Sequence, residues 1–377
     1  MSGRVPLVKP FRALRYDVRK AGPLDALVAP PFDVIPPDLR AKLLAASPHN
    51  VVRLIRPESE AEAAALLDEW LADGVLVRDP EPALWLLEEE FVGPDGVSRT
   101  RRGLVGRIRL VPYSDGIVLP HERTFARQKE ARLRLLRALR TKMSPILVLH
   151  DGPSPGPAPG RTPDVEASFQ GSRSRLWRLD DASVLADIAA PLVIADGHHR
   201  YETALRFHQE EGTEESAYVL ATLVSTADPG LVVFPTHRLA GKPVPELNGA
   251  IRKTDLDGAT EALERLGNLP RDRPAFVVLR PGCAVLAEAE PDPGSDLGVL
   301  DTAVVDRLGL ADVRYTADAG EAEAAVASGV AEAAFLVRAP TIEQVEAFAR
   351  AGETMPEKST YFFPKLTTGL LMSPLDE

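Results

Sequence analysis

Ile194-Ala195-Asp196-Gly197-His198-His199-Arg200-Tyr201 is the stretch on which the reading of this chain turns. The apolar run 192–195 has the compactness of a buried strand, Asp196-Gly197 breaks it, and residues 201–207 resume with helical character. A strand, a tight glycine turn and a helix start leave backbone N–H groups pointing outward, at the helix end whose dipole favours negative charge. Gly197 allows close backbone approach. His198, His199 and Arg200 place three cationic or proton-carrying side chains where the dipole opposes them unless an anion offsets the charge, and Arg200 has the fork geometry for phosphate oxygens. Adjacent His198 and His199 point in different directions, so a two-histidine metal site is not expected and no metal ligand is assigned. The stretch therefore predicts an oxyanion site at a strand-to-helix junction.

Outward from this junction the chain reads as mixed α and β. Val28-Ala29-Pro30-Pro31-Phe32-Asp33-Val34-Ile35-Pro36-Pro37 is a proline-set rigid loop. Helices are expected over 39–46, behind an Asp38 N-cap, and over 58–73, where Leu66, Leu67, Trp70 and Leu71 share a face; residues 51–55 read as a strand. Residues 84–92 and 103–111 form a hairpin about Gly93-Pro94-Asp95-Gly96. After the polar loop ending in His121-Glu122-Arg123-Thr124 comes a basic helix over 129–142, carrying Lys129, Arg132, Arg134, Arg137, Arg140 and Lys142, a local positive field able to steer a phosphorylated ligand. A short strand over 146–149 precedes an exposed proline- and glycine-rich insertion near 152–163. Strands at 217–225 and 231–234 lead to Pro235-Thr236-His237-Arg238, and from about residue 241 the pattern restarts. The fold class expected is α/β (α+β), with residues 1–240 as the region that carries the oxyanion site, which the resemblance given below makes catalytic and nucleotide-binding, and residues 241–377 as a smaller C-terminal α/β unit.

Composition narrows the function. The 377 residues are 45% hydrophobic and 26% charged, enough for a core of ordinary size. No apolar run approaches the roughly 18 residues of a membrane span, and Met1-Ser2-Gly3-Arg4-Val5-Pro6 lacks a signal-peptide pattern. The single cysteine, Cys283, excludes an intramolecular disulfide and a cysteine-based metal cluster, so a cytoplasmic location is expected. A net charge of −11 argues against nucleic acid as a partner but leaves room for a small phosphorylated ligand. There is no Walker-type phosphate loop, no protein-kinase signature set and no dinucleotide turn. The oligomeric state is not specified.

The central motif resembles the second sequence box of the ParB/sulfiredoxin-like superfamily, and its Asp-Gly-His-X-Arg form is similar to that of the ParB-like free-serine kinases. Within that superfamily the chain most resembles a bacterial and archaeal family labelled domain of unknown function 1015. The resemblance runs nearly end to end, through Pro30 to Ile35, Asn50 to Leu54, Pro120 to Thr124, Asp196 to Leu205, Pro235 to Leu239 and Met355 to Leu366. It implies a ParB/sulfiredoxin-like N-terminal core with insertions, and an ATP-dependent kinase that converts free L-serine to O-phosphoserine. A sulfiredoxin-type reaction needs a site cysteine, and Cys283 lies in the C-terminal unit.

On that implication the phosphates of ATP, bridged by Mg²⁺, sit on the N–H groups from Gly197 to His199, with Arg200 and Lys129 as further contacts. His198 and Arg200 stabilise the transferred charge, and Asp196 joins the catalytic set. Glu122 is the first choice to orient the acceptor hydroxyl, with Asp33 second. Asp33, Asn50, Thr236, His237 and Arg238 form the substrate set, the last three following a predicted strand end, where α/β ligands gather. Lys358-Ser359-Thr360 and Lys365 make a further cluster, structural or site-closing. Two other functions compete with the kinase. One is a ParB-like nucleotide switch, for which no DNA-binding element is visible, and the other is a phosphatase using the same anion pocket.

Overall fold

The continuous apolar runs of the sequence occupy the middle of a nine-stranded sheet, as strands buried on both faces must. A computed structural model of the chain describes residues 6–124, 126–244, 251–289 and 301–376. The sheet runs Val118–Leu119, Leu192–Asp196, Ile146–His150, Tyr218–Ser225, Ser98–Arg109, Leu84–Val92, Ser172–Leu179, Val165–Phe169, and Val8–Lys9 also pairs with Ser98–Arg109. Tyr218–Ser225 and Ile146–His150 lie parallel, as do Leu192–Asp196 and Val118–Leu119; the other pairings are antiparallel. Helices Ala126–Leu139 and His198–Glu211 pack against each other beside it.

A second, antiparallel sheet runs Ile251–Leu256, Cys283–Ala289, Ala275–Arg280, Ala333–Val337, His237–Ala240, Val313–Thr316. Helices Ala259–Asn268 and Ala319–Ala327 share a core with Val277, Leu279 and Leu336 on one face, and Val305 meets Phe276 and Phe335 on the other. The class is mixed α/β, but the sheets do not part at residue 240. His237–Ala240 is already a strand of the second sheet, while Val345 and Phe348 of helix Ile342–Arg350 belong to the main core of the first. The chain then returns: Tyr361–Phe363 pairs with Val232–Phe234, and Met372 and Leu14 exchange two backbone hydrogen bonds of 2.9 Å. Among the described residues no helix is long and apolar enough to cross a membrane.

Three local expectations change. Residues 51–55 are not a strand: Asn50 Oδ1 accepts the Val52 N–H at 2.9 Å, and this turn starts the short helix Val52–Ile55. The basic helix stops at Leu139 because Arg140 takes a positive φ of 45° and Thr141–Lys142 pairs with Ser373–Pro374. A hairpin of Val165–Phe169 and Ser172–Leu179 was not anticipated; it turns on Gln170-Gly171, at φ 47° and 78°, a pair without the usual Asn-Gly hairpin signal.

The returning segment is tied down by a buried ion pair. Arg101 and Glu89 are each 1% exposed, and Arg101 donates to Glu89 Oε2 at 2.5 and 3.0 Å. It also donates to the carbonyls of Phe363 (3.2 Å) and Pro364 (3.0 Å), immediately before Lys365. Arg101→Met leaves the Glu89 charge buried and alone, which should lower the unfolding free energy by about 3–5 kcal/mol in urea titrations. A loss below about 1 kcal/mol would show that the pair does not anchor this segment.

Candidate active site

One residue makes the turn between strand Leu192–Asp196 and helix His198–Glu211. Gly197 adopts φ 99°, and a Cβ there would lie 2.7 Å from Ile146 Cγ2, so the position excludes any L side chain on two counts. No side chain caps this helix and no acidic residue stands in its first turn. Its leading N–H groups therefore keep their unspent donor capacity and partial positive charge. They border a cleft of about 680 Å³ that is walled by both sheets' connections, including Asp33, Glu122, Asp196, Thr236, Asp318 and Lys365.

The floor of the cleft is an ion triad. Asp196 Oδ1 accepts from Lys365 Nζ and Oδ2 from Arg200 Nη2, while Arg200 Nη1 donates to the Pro145 carbonyl. Burial pushes the Asp196 carboxyl up, but Lys365 and Arg200 outweigh it and hold it well below the usual carboxylate range. For Lys365 burial favours the neutral amine, and Asp196 reverses this, so the ammonium persists. Arg200 is thus spent largely within the fold, which corrects its expected role as a bidentate phosphate ligand. Lys365, 169 residues beyond Asp196 in sequence, brings a further cation to the cleft.

The histidines are neutral. His121 Nδ1 lies 2.7 Å from the Ile194 carbonyl and must donate to it, leaving Nε2 to accept from Thr360 Oγ1 at 3.1 Å. Burial lowers its pKa to about 4. His198 Nε2 accepts the His121 backbone N–H at 3.3 Å, and the rings stand edge to face with centroids 4.7 Å apart. Burial and the neighbouring His121 take His198 well below its ordinary value. His198 therefore lines the cleft as an Nδ1–H donor and not as the cation expected to stabilise transferred charge. Burial and the nearby Arg132 also lower His199.

Glu122 also lines the cleft. Burial raises its carboxyl above the ordinary value, against the pull of Lys358. Asp33, at the loop end, stands 3.6 Å from Arg132, whose guanidinium lies 3.8 Å from the centroid of the Phe32 ring. Thr236 also lines the cleft, and its buried hydroxyl has no hydrogen-bond partner among the described residues.

Other expected site residues belong to the scaffold. Asn50 is fully buried, donating to the Ala26 and Val28 carbonyls at 2.8 and 3.1 Å and accepting from Val52, so nothing remains for substrate. Lys129 does not line the cleft; it binds Glu202 at 2.7 Å. The positive field of its helix is largely cancelled by a ladder to the neighbouring helix, with Arg137–Glu210 at 2.7 Å, Arg140–Glu211 at 3.2 Å and Glu130–Arg206 at 2.9 Å. His237, 2% exposed, accepts the Val337 N–H at 3.2 Å, and Arg238, 1% exposed, donates to Thr236, Glu357 and Asp306. Both hold the second sheet and its connections in place, outside the cleft lining.

These features define a mixed α/β protein whose cleft joins an uncapped helix start to a buried lysine–carboxylate pair. The chain belongs to the family described as protein of unknown function (DUF1015), whose model matches residues 8–297. Among solved structures it is similar to a free serine kinase in complex with AMP, at 16% identity over 70% of this chain and 88% of that one, with a TM-score of 0.40. It is also similar to SbnI with C-terminal truncation from Staphylococcus aureus, at 14% identity, 71% and 87% coverage and a TM-score of 0.38. A conserved hypothetical protein from Pyrococcus furiosus gives 15% identity, 70% and 91% coverage and a TM-score of 0.35. No curated protein matches.

The histidines make a pH prediction. His121 and His237 are both lowered from 6.5 to about 4, so between these values the unfolded chain binds more protons than the folded one. Stability present above pH 6.5 should therefore fall progressively as the pH drops towards 4, with His198 adding in the same direction. Urea midpoints at pH 7, 6 and 5 measure this, and a flat series would show these rings to be protonated in the fold.

Proposed function

We propose that this chain is an ATP-dependent small-molecule kinase that phosphorylates a hydroxyl group, with free L-serine as the acceptor. The observation that carries the reading is the convergence, in one cleft, of an uncapped helix start, a buried lysine held charged by Asp196, and a carboxyl raised by burial. Phosphate oxygens of ATP rest on the N–H groups of His198 and His199, and Lys365 offsets charge developing on the transferred phosphoryl group. Asp196 is a positioning residue that holds Lys365 and Arg200. Glu122 accepts the proton of the attacking hydroxyl; its raised pKa brings it closer to neutrality, where a general base works best. The new bond joins the acceptor oxygen to the γ-phosphorus, the bond to the β–γ bridging oxygen breaks, and ADP leaves.

Among the described residues no cluster of three or more His, Cys, Asp or Glu side chains forms a metal centre. Mg²⁺ bound with the nucleotide would need only phosphate oxygens, water and one or two carboxylates, and Asp33 would offer one from this cleft. When bound, the ion neutralises charge on the β- and γ-phosphates.

Incubation of the protein with ATP, Mg²⁺ and L-serine should yield O-phosphoserine and ADP in equal amounts. Glu122→Gln should lower kcat by about 10²–10⁴-fold while leaving the melting temperature nearly unchanged. Turnover of another hydroxyl compound would keep the chemistry and replace serine. Phosphate release without any acceptor would overturn the kinase reading.

A further inference from the structure

Behind the wall formed by Arg132 and Arg200 lies a second cavity of about 440 Å³, bounded by helices Ala126–Leu139 and His198–Glu211 and by residues 55–60. Its inner lining is aliphatic, from Ile55, Leu135, Leu136, Leu139, Met143 and Val219, while its rim carries Arg40, Arg56, Glu58 and Glu60, with Glu58 paired to Arg40 and Glu60 to Arg134. Into this apolar setting come buried donor atoms with no hydrogen-bond partner among the described residues: Lys142 Nζ, Thr203 Oγ1 and Arg132 Nε. Lys142 is 6% exposed and Thr203 is 4% exposed.

The environment of Lys142 is the anomaly. Its ammonium lies 5.8 Å from the Phe207 ring centroid, no ion pair joins it to a carboxylate among the described residues, and its charged neighbour is another buried cation, Arg107. Burial first, and Arg107 second, bring its pKa down to about 7. A buried ammonium without a counter-charge costs several kcal/mol, which drives Lys142 towards the neutral amine, and an anion bound beside it would favour the charged form. Thr203 and Phe207 lie one helical turn apart, so the Thr203 hydroxyl and the Lys142 ammonium approach the same face of the helix.

We infer that this cavity binds a small amphipathic carboxylate, with the carboxylate on Lys142 and Thr203 and the apolar body among the leucines. A volume of this size suits such a molecule. The inference is independent of the kinase reading, because none of its donors is used in the proposed phosphoryl transfer. The shared Arg132–Arg200 wall and the common helix place the bound carboxylate one partition away from the phosphate cleft.

Calorimetric titration of the full chain with octanoate, and with octanol as the uncharged equivalent, tests it. Octanoate should bind saturably in the micromolar to millimolar range, at least about tenfold more tightly than octanol, and should raise the melting temperature. Lys142→Met should remove that preference and, without ligand, should raise the melting temperature by relieving the unpaired charge. Leu135→Trp, which fills the cavity from its half-buried rim, should abolish binding while the circular dichroism spectrum stays native. Equal binding of octanoate and octanol, or no heat with either, would mean an apolar or merely hydrated void and would overturn the inference. So would competitive displacement of octanoate by ATP together with weakened ATP binding in Lys142→Met, since the cavity would then be part of the nucleotide site.

Discussion

The carboxylate of Asp196, shared between Lys365 and Arg200, is the constraint from which the rest of the cleft follows. It ends the strand, faces the helix start through Gly197, and draws a lysine from the returning C-terminal segment to the same point. Without it, a buried ammonium and guanidinium would stand unbalanced next to a helix end that is itself positive. With it, one of the two positive charges is offset and the triad keeps a single net positive charge, held next to the backbone donors that face the cleft.

This balance accounts for the path of the chain. The second sheet is inserted between the strands of the first and a later segment that packs into the same core, and that segment must come back for Lys365 to reach Asp196. Arg101, by holding the carbonyls of Phe363 and Pro364, fixes the approach. His121 fixes the other side through the Ile194 carbonyl and Thr360, and its main-chain carbonyl takes the Met355 N–H at 2.8 Å. The second sheet contributes Thr316, Asp318 and Glu321 to the far wall, so the cleft forms where the two sheets' connections meet.

Much of this was legible in the sequence where the signal is local. The apolar runs at 146–149 and 192–195 read as buried strands and are, and the glycine at 197 marks the strand-to-helix junction, because a turn of one residue needs a positive φ. The strand proposed at 51–55 failed because one side chain, Asn50, spends its hydrogen bonds on curling the backbone. Asn50, His237 and Arg238 are polar and stand in distinctive motifs, yet their hydrogen bonds satisfy buried backbone and carboxylate groups of the fold; sequence shows polarity but not what absorbs it. Lys129 was misplaced for a related reason, since a basic helix face looks like a field until its acidic neighbour helix is in view. The cluster that contains Lys365 reads from sequence as structural or site-closing, but its pairing with Asp196 is not legible there, because the partner lies in another element.

In the proposed kinase the helix start at Gly197 and Lys365 meet the phosphates of the nucleotide. A crystal structure of the protein with ADP and Mg²⁺ tests it most directly. The account predicts β-phosphate oxygens within hydrogen-bond distance of the His198 and His199 N–H groups, with the Lys365 ammonium in contact. Nucleotide bound elsewhere on the molecule, with the junction at Gly197 left untouched, would contradict it.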